Sequence, residues 1–309
     1  MISVIIPLYN KRKSVARTLA SVRAQTFTDY EVVVVDDGST DGSADVVRSL
    51  ADERVRLITQ SNSGVSAARN KGISEARGEL IAFLDADDVW KPRYLEMQME
   101  LVANYPQCDV YAVNYEMCDA ESIVTPLILK RLPFQAIHGE LTNYFEVASH
   151  SHPPLCSISV MVRRTAILSI GGFPVGVSSG EDLLTWARLA VQFRIAYSKE
   201  VMAVYFTDDV GLSSPPNRGN DDGEYVASQL IALYKEFHPP FMRQYISHWY
   251  KMRSSVFMRL DQPVASIQET WKGIRCNPLN YKLYVFVLLN MIPSALRRRM
   301  LMMTKIIHK

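Results

Sequence analysis

The hydrophobic positions of the first ninety residues fall into two alternating kinds of run. Ser3–Ile6, Glu31–Val35, Val55–Thr59 and Leu80–Leu84 are short stretches dominated by Val, Ile and Leu. Apolar runs of this length predict strands buried on both faces, as in a parallel sheet covered by helices. Between them, Ser14–Ala24, Ser43–Leu50 and Val65–Ala76 repeat apolar residues near helical spacing and predict helices. The βαβα order predicts an α/β fold with a mostly parallel, Rossmann-like sheet flanked by helices. Further on, the pattern predicts a helix near Pro92–Tyr105, a strand near Val110–Met117, an irregular stretch over 124–156 and a strand over Ser157–Val162. Leu183, Trp186, Ala187 and Ala190 share one face of a helix expected over Glu181–Val191. From about Gly223 onward the pattern turns helical, over 224–237, 241–259 and 279–304. The Pro-, Gly-, Asn- and Asp-rich stretch Gly211–Gly223 marks the change, so residues 1–210 read as one α/β domain and 211–309 as a helical C-terminal appendage.

Composition keeps this picture and adds a polarity. With 309 residues, 48% of them hydrophobic and 21% charged, the chain is sized for one large domain plus an appendage. Its net charge is +2, but every charged residue after Glu269 is basic: Lys272, Arg275, Lys282, Arg297, Arg298, Arg299, Lys305 and Lys309. A tail of +8 leaves −6 for residues 1–269. A basic, apolar end on an acidic body suits an anionic bilayer better than nucleic acid. The apolar run from Tyr284 to Met291 extends to only about a dozen residues before Pro293, against the roughly 20 that a spanning helix needs. With the basic residues that follow it, the segment fits either a membrane interface or a buried helical subdomain with a basic edge. Four cysteines without C-x-x-C spacing suit a reducing compartment. The first residues carry neither a basic n-region nor a small-residue cleavage site. The expected location is therefore cytoplasmic, with a peripheral contact on the inner face of the membrane.

Candidate chemistry gathers where the strands end. In open α/β sheets the crevice lies beyond the carboxyl ends of the strands. Those ends carry Pro7-Leu8-Tyr9-Asn10, Asp36-Asp37-Gly38-Ser39 and Asp85-Ala86-Asp87-Asp88. No glycine precedes Gly38, which excludes the Gly-rich first turn of a dinucleotide fold and of sugar-nucleotide synthesising nucleotidyltransferases. No G-x-x-x-x-G-K-[ST] loop is present either. Phosphates would then be neutralised by a metal held on carboxylates. Strand alternation aims Asp85 and Asp87 the same way, and a hard Mg2+ or Mn2+ ion suits two carboxylates plus diphosphate oxygens. Taken singly, each acidic cluster reads equally well as a turn with a helix cap.

Together, Val4-Ile5-Ile6-Pro7-Leu8-Tyr9-Asn10, Val33-Val34-Val35-Asp36-Asp37-Gly38-Ser39-Thr40-Asp41, Gly64-Val65-Ser66-Ala67-Ala68-Arg69-Asn70 and Phe83-Leu84-Asp85-Ala86-Asp87-Asp88 resemble the family 2 glycosyltransferases of the GT-A fold. Gly180-Glu181-Asp182 is similar to that family's acidic pair before the acceptor-side helix. The resemblance is strong to about residue 210 and absent afterwards. It implies an inverting glycosyltransferase that moves a sugar from a nucleotide-diphosphate donor, a UDP-sugar by the family prior, to a saccharide or lipid-linked acceptor. Asp37 would hydrogen-bond the base, Tyr9 would stack on or flank it, and Pro7 would shape the turn beneath. Arg69 would contact the donor near the ribose or phosphates. Asp85 and Asp87 would form the D-x-D motif, with Asp87 the direct metal ligand and Asp85 nearer the sugar or ribose. Asp182 would act as general base with Glu181 as its acceptor-side companion, and a helix N-terminus favours the ionised, proton-accepting form of Asp182. Many relatives carry a His or Arg near the end of the catalytic domain to cover the phosphates. Here Tyr205–Ser213 holds no basic residue, and Arg218 is the substitute on offer.

Two other readings use the same residues. Asp85-Ala86-Asp87-Asp88-Val89 formally matches the nucleophile motif of haloacid-dehalogenase-like phosphohydrolases, although that motif normally follows the first strand. A catalytically silent sugar-nucleotide binder would keep the fold without turnover. His150 and His152 lack a third partner in the sequence for a zinc site and read as loop or acceptor-groove residues.

Overall fold

Among the described residues ten strands and eleven helices form, and through the first half they follow the order that the hydrophobic pattern sets. A computed structural model of the chain describes residues 1–50, 52–207, 222–292 and Arg297. The strands are β1 (Ile2–Leu8), β2 (Tyr30–Asp36), β3 (Val55–Thr59), β4 (Leu80–Phe83), β5 (Val89–Trp90), β6 (Val110–Cys118), β7 (Val124–Pro126), β8 (His138–Glu140), β9 (Val160–Arg163) and β10 (Ile195–Phe206). The helices are α1 (Val15–Arg23), α2 (Ser43–Leu50), α3 (Val65–Glu75), α4 (Tyr94–Asn104), α5 (Tyr144–His150), α6 (Arg164–Ser169), α7 (Glu181–Gln192), α8 (Gly223–Phe237), α9 (Met242–Arg259), α10 (Pro263–Cys276) and α11 (Tyr281–Asn290).

All the strands belong to one sheet of order β3-β2-β1-β4-β9-β6-β10-β5, with β7 added on β6 and β8 on β10. β3, β2, β1 and β4 run parallel. β9 pairs antiparallel with both β4 and β6, while β6 and β10 are parallel to each other. The parallel expectation thus describes the first four strands, and the second half is mixed. Every residue of β1 and β2 is buried, as continuous apolar strands between helices should be. The main core joins these strands to α1, α4 and the second half of the sheet through Leu19, Val34, Tyr94, Tyr111 and Met161. α3 lies close enough to β1 that a Cβ on Gly72 would stand 2.4 Å from Ile5 Cγ2.

The chain divides into two compact units. The first comprises 1–128, 132–142 and 154–209; the second comprises 129–131, 143–153 and 210–309. Two short pieces of the stretch expected to be irregular therefore belong to the helical unit, where α5 packs on α9. In that unit α9 also packs on α8, α10 and α11. α10 has no counterpart among the sequence expectations, although Pro263 at its first turn is a readable start signal. Within the helix expected over 279–304, α11 ends at Asn290; residues 293–296 and 298–309 lie outside the described residues. No helix among the described residues is long and apolar enough to cross a membrane.

Candidate active site

The parallel register brings the chemistry to one edge. Leu8 pairs with Asp36, and the ladder continues past the strands as Asp37 N donates to Leu8 O at 2.8 Å and Gln60 N to Asp36 O at 2.9 Å. Leu84 N donates to Ile5 O at 3.0 Å on the other side of β1, so Asp85 leaves from the same edge.

The loops after β1 and β2 are stitched to each other. Asn10 adopts φ of 51°, and its Oδ1 accepts from Thr40 N at 2.9 Å. Lys11 N donates to Ser43 Oγ at 2.8 Å and Arg12 N to Asp41 Oδ2 at 3.0 Å. Pro7 sits within β1 opposite Val35, and Tyr9 next to this seam is 48% exposed. Asp37 is 3% exposed; its Oδ1 accepts from Gln60 Nε2 at 2.7 Å and Ser63 N at 2.9 Å, and its Oδ2 accepts from Gly64 N at 2.8 Å. The carboxylate thereby fixes the entry to α3, with Gly64 at a φ of 88° that side chains disfavour. One acceptor position on Oδ2 is left over.

Four residues on from that entry is Arg69, 4% exposed, and it is the link between the two acidic clusters. Its Nη2 donates to Asp85 Oδ1 at 2.8 Å, and its Nη1 lies 3.5 Å from Glu181 Oε1. Its guanidinium stands 5.1 Å over the ring of Phe173. Phe173 packs edge-on against Phe83 at 5.2 Å and Trp186 at 5.5 Å, joining β4 to α7. Asn70 holds the same turn, accepting from Phe173 N and donating to Phe173 O, both at 2.8 Å. Arg69 Nε and Nη1 make no hydrogen bond among the described residues. The guanidinium expected to face the donor is committed to carboxylates.

Asp85 and Asp87 keep partly accessible side chains. Asp87 Oδ2 lies 2.6 Å from Lys11 Nζ, and Arg17 Nη2 donates to Asp87 O at 2.8 Å. Arg17 also covers the ring of Phe206 at 3.6 Å. Two cations from the start of the chain thus flank the acidic turn. Neither is among the residues expected from the sequence, although the basic run Lys11-Arg12-Lys13 is a signal that could have pointed to one of them. Asp88, by contrast, is buried. Its Oδ1 accepts from Phe206 N at 2.7 Å, and its Oδ2 finds no partner among the described residues. Burial and the nearby Asp85 carboxylate push its pKa up to about 9, so at neutral pH it carries its proton. Residues 208–213 and Arg218, weighed as phosphate cover, lie outside the described residues.

Glu181 and Asp182 open α7 after Gly180, whose φ is 84°. The expectation that the helix dipole keeps Asp182 ionised needs correction. Burial dominates and raises its pKa; Arg69 and the Leu183 N–H, 2.7 Å from Oδ1, oppose the rise without cancelling it. A dipole effect at a helix start is worth about 0.3–1 kcal/mol at exposed sites, while removing a carboxylate from water costs more. Glu181 is raised to about 7, by burial first and then by Asp182 beside it. Among the described residues no three His, Cys, Asp or Glu side chains form a ready metal site, and His150 and His152 belong to none.

Residues 3–164 match the glycosyl transferase family 2 model. The chain is 39% identical over 261 residues to the uncharacterized glycosyltransferase YibD of Escherichia coli, spanning 77% of this chain and 75% of that one. It is 32% identical to TuaG of Bacillus subtilis, a glycosyltransferase assigned provisionally to teichuronic acid biosynthesis, over 69% of this chain and 82% of that one. With an uncharacterized glycosyltransferase of Nostoc sp. identity rises to 45%, but the match spans only 38% of this chain and about a third, 36%, of that one. Among solved structures, S. aureus TarS in complex with UDP-GlcNAc superposes with a TM-score of 0.68 at 19% identity, covering 96% of this chain and 87% of the other. Mannosyltransferase PcManGT from Pyrobaculum calidifontis, in complex with GDP-Man and Mn2+, gives 0.56 at 20% identity, covering 98% and 83%. These two share the fold, and the family match sets aside the phosphohydrolase alternative. The chain belongs to glycosyl transferase family 2 and has the GT-A fold.

Proposed function

We propose that the protein transfers a sugar with inversion from a nucleotide-diphosphate donor, by preference a UDP-sugar, to a saccharide or lipid-linked acceptor. The observation that carries this reading is the Arg69 bridge, which joins the accessible acids after β4 to the buried acids that open α7. Tyr9, exposed beside the β1–β2 seam, flanks the base. Asp37 shapes the floor beneath it and offers its remaining acceptor position on Oδ2, with Pro7 fixing the turn. The TarS complex with UDP-GlcNAc supports a uridine donor, and TuaG's assignment supports a saccharide polymer as acceptor.

The residues present suit a divalent cation. Asp85 and Asp87 are accessible, and Asp87 already faces an ammonium group at 2.6 Å. Asp87, with Asp85 nearer the sugar, would hold Mn2+ or Mg2+, whose charge offsets that of the leaving diphosphate. A site of two carboxylates is normal for such an ion, because phosphate oxygens and water complete its shell. The GDP-Man and Mn2+ complex of PcManGT supports the same choice. Lys11 and Arg17 add positive charge where phosphates would lie. Arg69 positions Asp85 and Glu181 from below.

Asp182 is the general base. The acceptor oxygen attacks the anomeric carbon, the bond from that carbon to the diphosphate oxygen breaks, and the hydroxyl proton passes to the Asp182 carboxylate. A raised pKa makes that carboxylate a stronger proton acceptor than an exposed aspartate. Glu181, pushed up to about 7, sits beside it on the acceptor side. The basic residues from Arg297 to Lys309, with the exposed Leu279, Tyr281, Leu288 and Met291 around α11, support a peripheral contact with an anionic bilayer. The test is hydrolysis of UDP-sugars in the absence of acceptor. Metal-dependent release of UDP that disappears in Asp87→Ala supports the enzyme; equal release by wild type and variant, or none by either, contradicts it.

A further inference from the structure

The polar side of α1 is spent on the backbone that follows β4. Arg17, Thr18 and Ser21 share one face of the helix, and Gln25, just past its end, continues the row. Arg17 Nη2 donates to Asp87 O and Thr18 Oγ1 to Asp88 O, both at 2.8 Å. Ser21 Oγ accepts from Trp90 N at 3.2 Å. Gln25 spans the next turn: its Nε2 donates to Lys91 O and its Oε1 accepts from Leu95 N, both at 2.9 Å. The side chains meet their backbone partners in the order in which they occur along the chain. Helix and segment are therefore held in one register.

Thr18 makes the unusual choice among them. A Ser or Thr inside a helix commonly turns its hydroxyl back to a carbonyl of the preceding turn. Ser21 does this, donating to Thr18 O at 2.7 Å, and keeps a lone pair for Trp90 N. Thr18 is fully buried and sends its proton instead to a carbonyl 70 residues away. That carbonyl belongs to the acidic turn. Asp88 N donates to Asp85 O at 3.1 Å, so Asp85–Asp88 is a hydrogen-bonded turn with Asp87 in its third position. The two carbonyls that follow the Asp87 side chain are then fixed from α1, one by Arg17 and one by Thr18. Thr18 is closed to solvent, so its influence on a bound ion runs through the turn.

We infer that Thr18 is a positioning residue for the metal: its hydroxyl, kept in register by Ser21 and Gln25, sets the direction in which Asp87 presents its carboxylate. The inference rests on the reading of Asp87 as a metal ligand. Small divalent ions demand a narrow ligand geometry, and groups that orient a ligand without touching the ion govern affinity for it.

The test is calorimetric titration of UDP into the full chain at a series of Mn2+ concentrations. It yields the Mn2+ concentration that half-saturates UDP binding, and melting temperatures are measured in EDTA alongside. Thr18→Val keeps the shape and removes the hydroxyl; it should raise the half-saturating Mn2+ about tenfold, with UDP affinity at saturating Mn2+ within a few fold of wild type. Thr18→Ser, which restores the hydroxyl, should return Mn2+ to within a few fold. Ser21→Ala, whose lost bond lies beyond the acidic turn, should lower the melting temperature and leave the Mn2+ requirement within a few fold. Thr18→Cys, a weaker donor of similar size, replaces Thr18→Val if that variant does not fold, and should shift Mn2+ in the same direction by a smaller factor. An unchanged Mn2+ requirement in the Thr18 variants, beside a metal-dependent wild type, overturns the inference and leaves the metal site standing. A Mn2+ shift that is equal in Ser21→Ala and Thr18→Val also overturns it, because it would then follow stability alone. A wild type whose UDP binding ignores Mn2+ overturns the metal site and this inference with it.

Discussion

The acids after β4 and the acids that open α7 are chemically the same groups in opposite surroundings. Asp85 and Asp87 remain in partial contact with solvent and are met by cations, Arg69 and Lys11, at 2.8 and 2.6 Å. Glu181 and Asp182 are drawn into the protein, share one cation from the side, and have their pKa values raised. In the proposed mechanism the first pair would hold a divalent cation and the second would take the proton. Two carboxylate pairs held in different environments can divide the work of one reaction in this way. Arg69 is common to both, so the division depends on a single buried guanidinium.

The largest effect that would break this contrast is loss of the base. Asp182→Asn should lower turnover by about 100- to 10,000-fold, the range of general-base catalysis, while donor affinity stays within a few fold. An equal loss of donor affinity would place Asp182 on the wrong side of the comparison. In the wild type, turnover at saturating donor should rise with pH over a range above that of an ordinary aspartate, because Asp182, whose pKa burial raises, must lose its proton to accept one. Removing the guanidinium should move that rise to higher pH, since Arg69 lowers the pKa of both acids.

Arg69→Met also tests the bridge through stability. It leaves Asp85 and Glu181 without their shared cation, and breaking a buried pair from one side costs about 3–5 kcal/mol. Chemical denaturation should show a loss of that order at pH 8, shrinking as acid protonates the carboxylates. A variant as stable as the wild type would mean that the bridge holds nothing. Lys11→Met is a smaller change. It removes an ammonium that competes with a metal for Asp87, so Mn2+ affinity measured without nucleotide should rise a few fold.

Asp88 gives the smallest effect and a definite sign. Its folded pKa, raised to about 9, lies above its unfolded value, so folding binds a proton between about pH 4 and 9 and stability falls as pH rises through that window. Asp88→Asn keeps an acceptor for Phe206 N and removes the penalty. In EDTA it should melt a few degrees above the wild type at pH 8 and no higher than the wild type at pH 4. The opposite order would show that Asp88 is ionised in the folded protein.

Local pattern made the parallel half of the site legible. Continuous apolar strands placed Asp37 and Asp85 at strand ends, and register did the rest. Contacts made by distant segments were not legible. Nothing near Arg69 in sequence says that its guanidinium will lie over Phe173, 104 residues later. Lys11 and Arg17 lie on a loop and a helix at the start of the chain, and only the return of the chain to β4 brings them to Asp87. The pKa of Asp182 could not be read from its position at a helix start, because the opposing term, burial, is tertiary. β10 escaped because its 12 residues mix polar and apolar positions across the register shifts between Ser198 and Ala203.

The central claim is that cation holding and proton taking are divided between the two acid pairs. Calorimetric titration of UDP and GDP with and without Mn2+, on wild type, Asp87→Ala and Asp182→Asn, tests it most directly. The account predicts Mn2+-dependent binding of UDP by the wild type and by Asp182→Asn, lost in Asp87→Ala. Binding of either nucleotide that ignores Mn2+, or that fails in Asp182→Asn while surviving in Asp87→Ala, would contradict it.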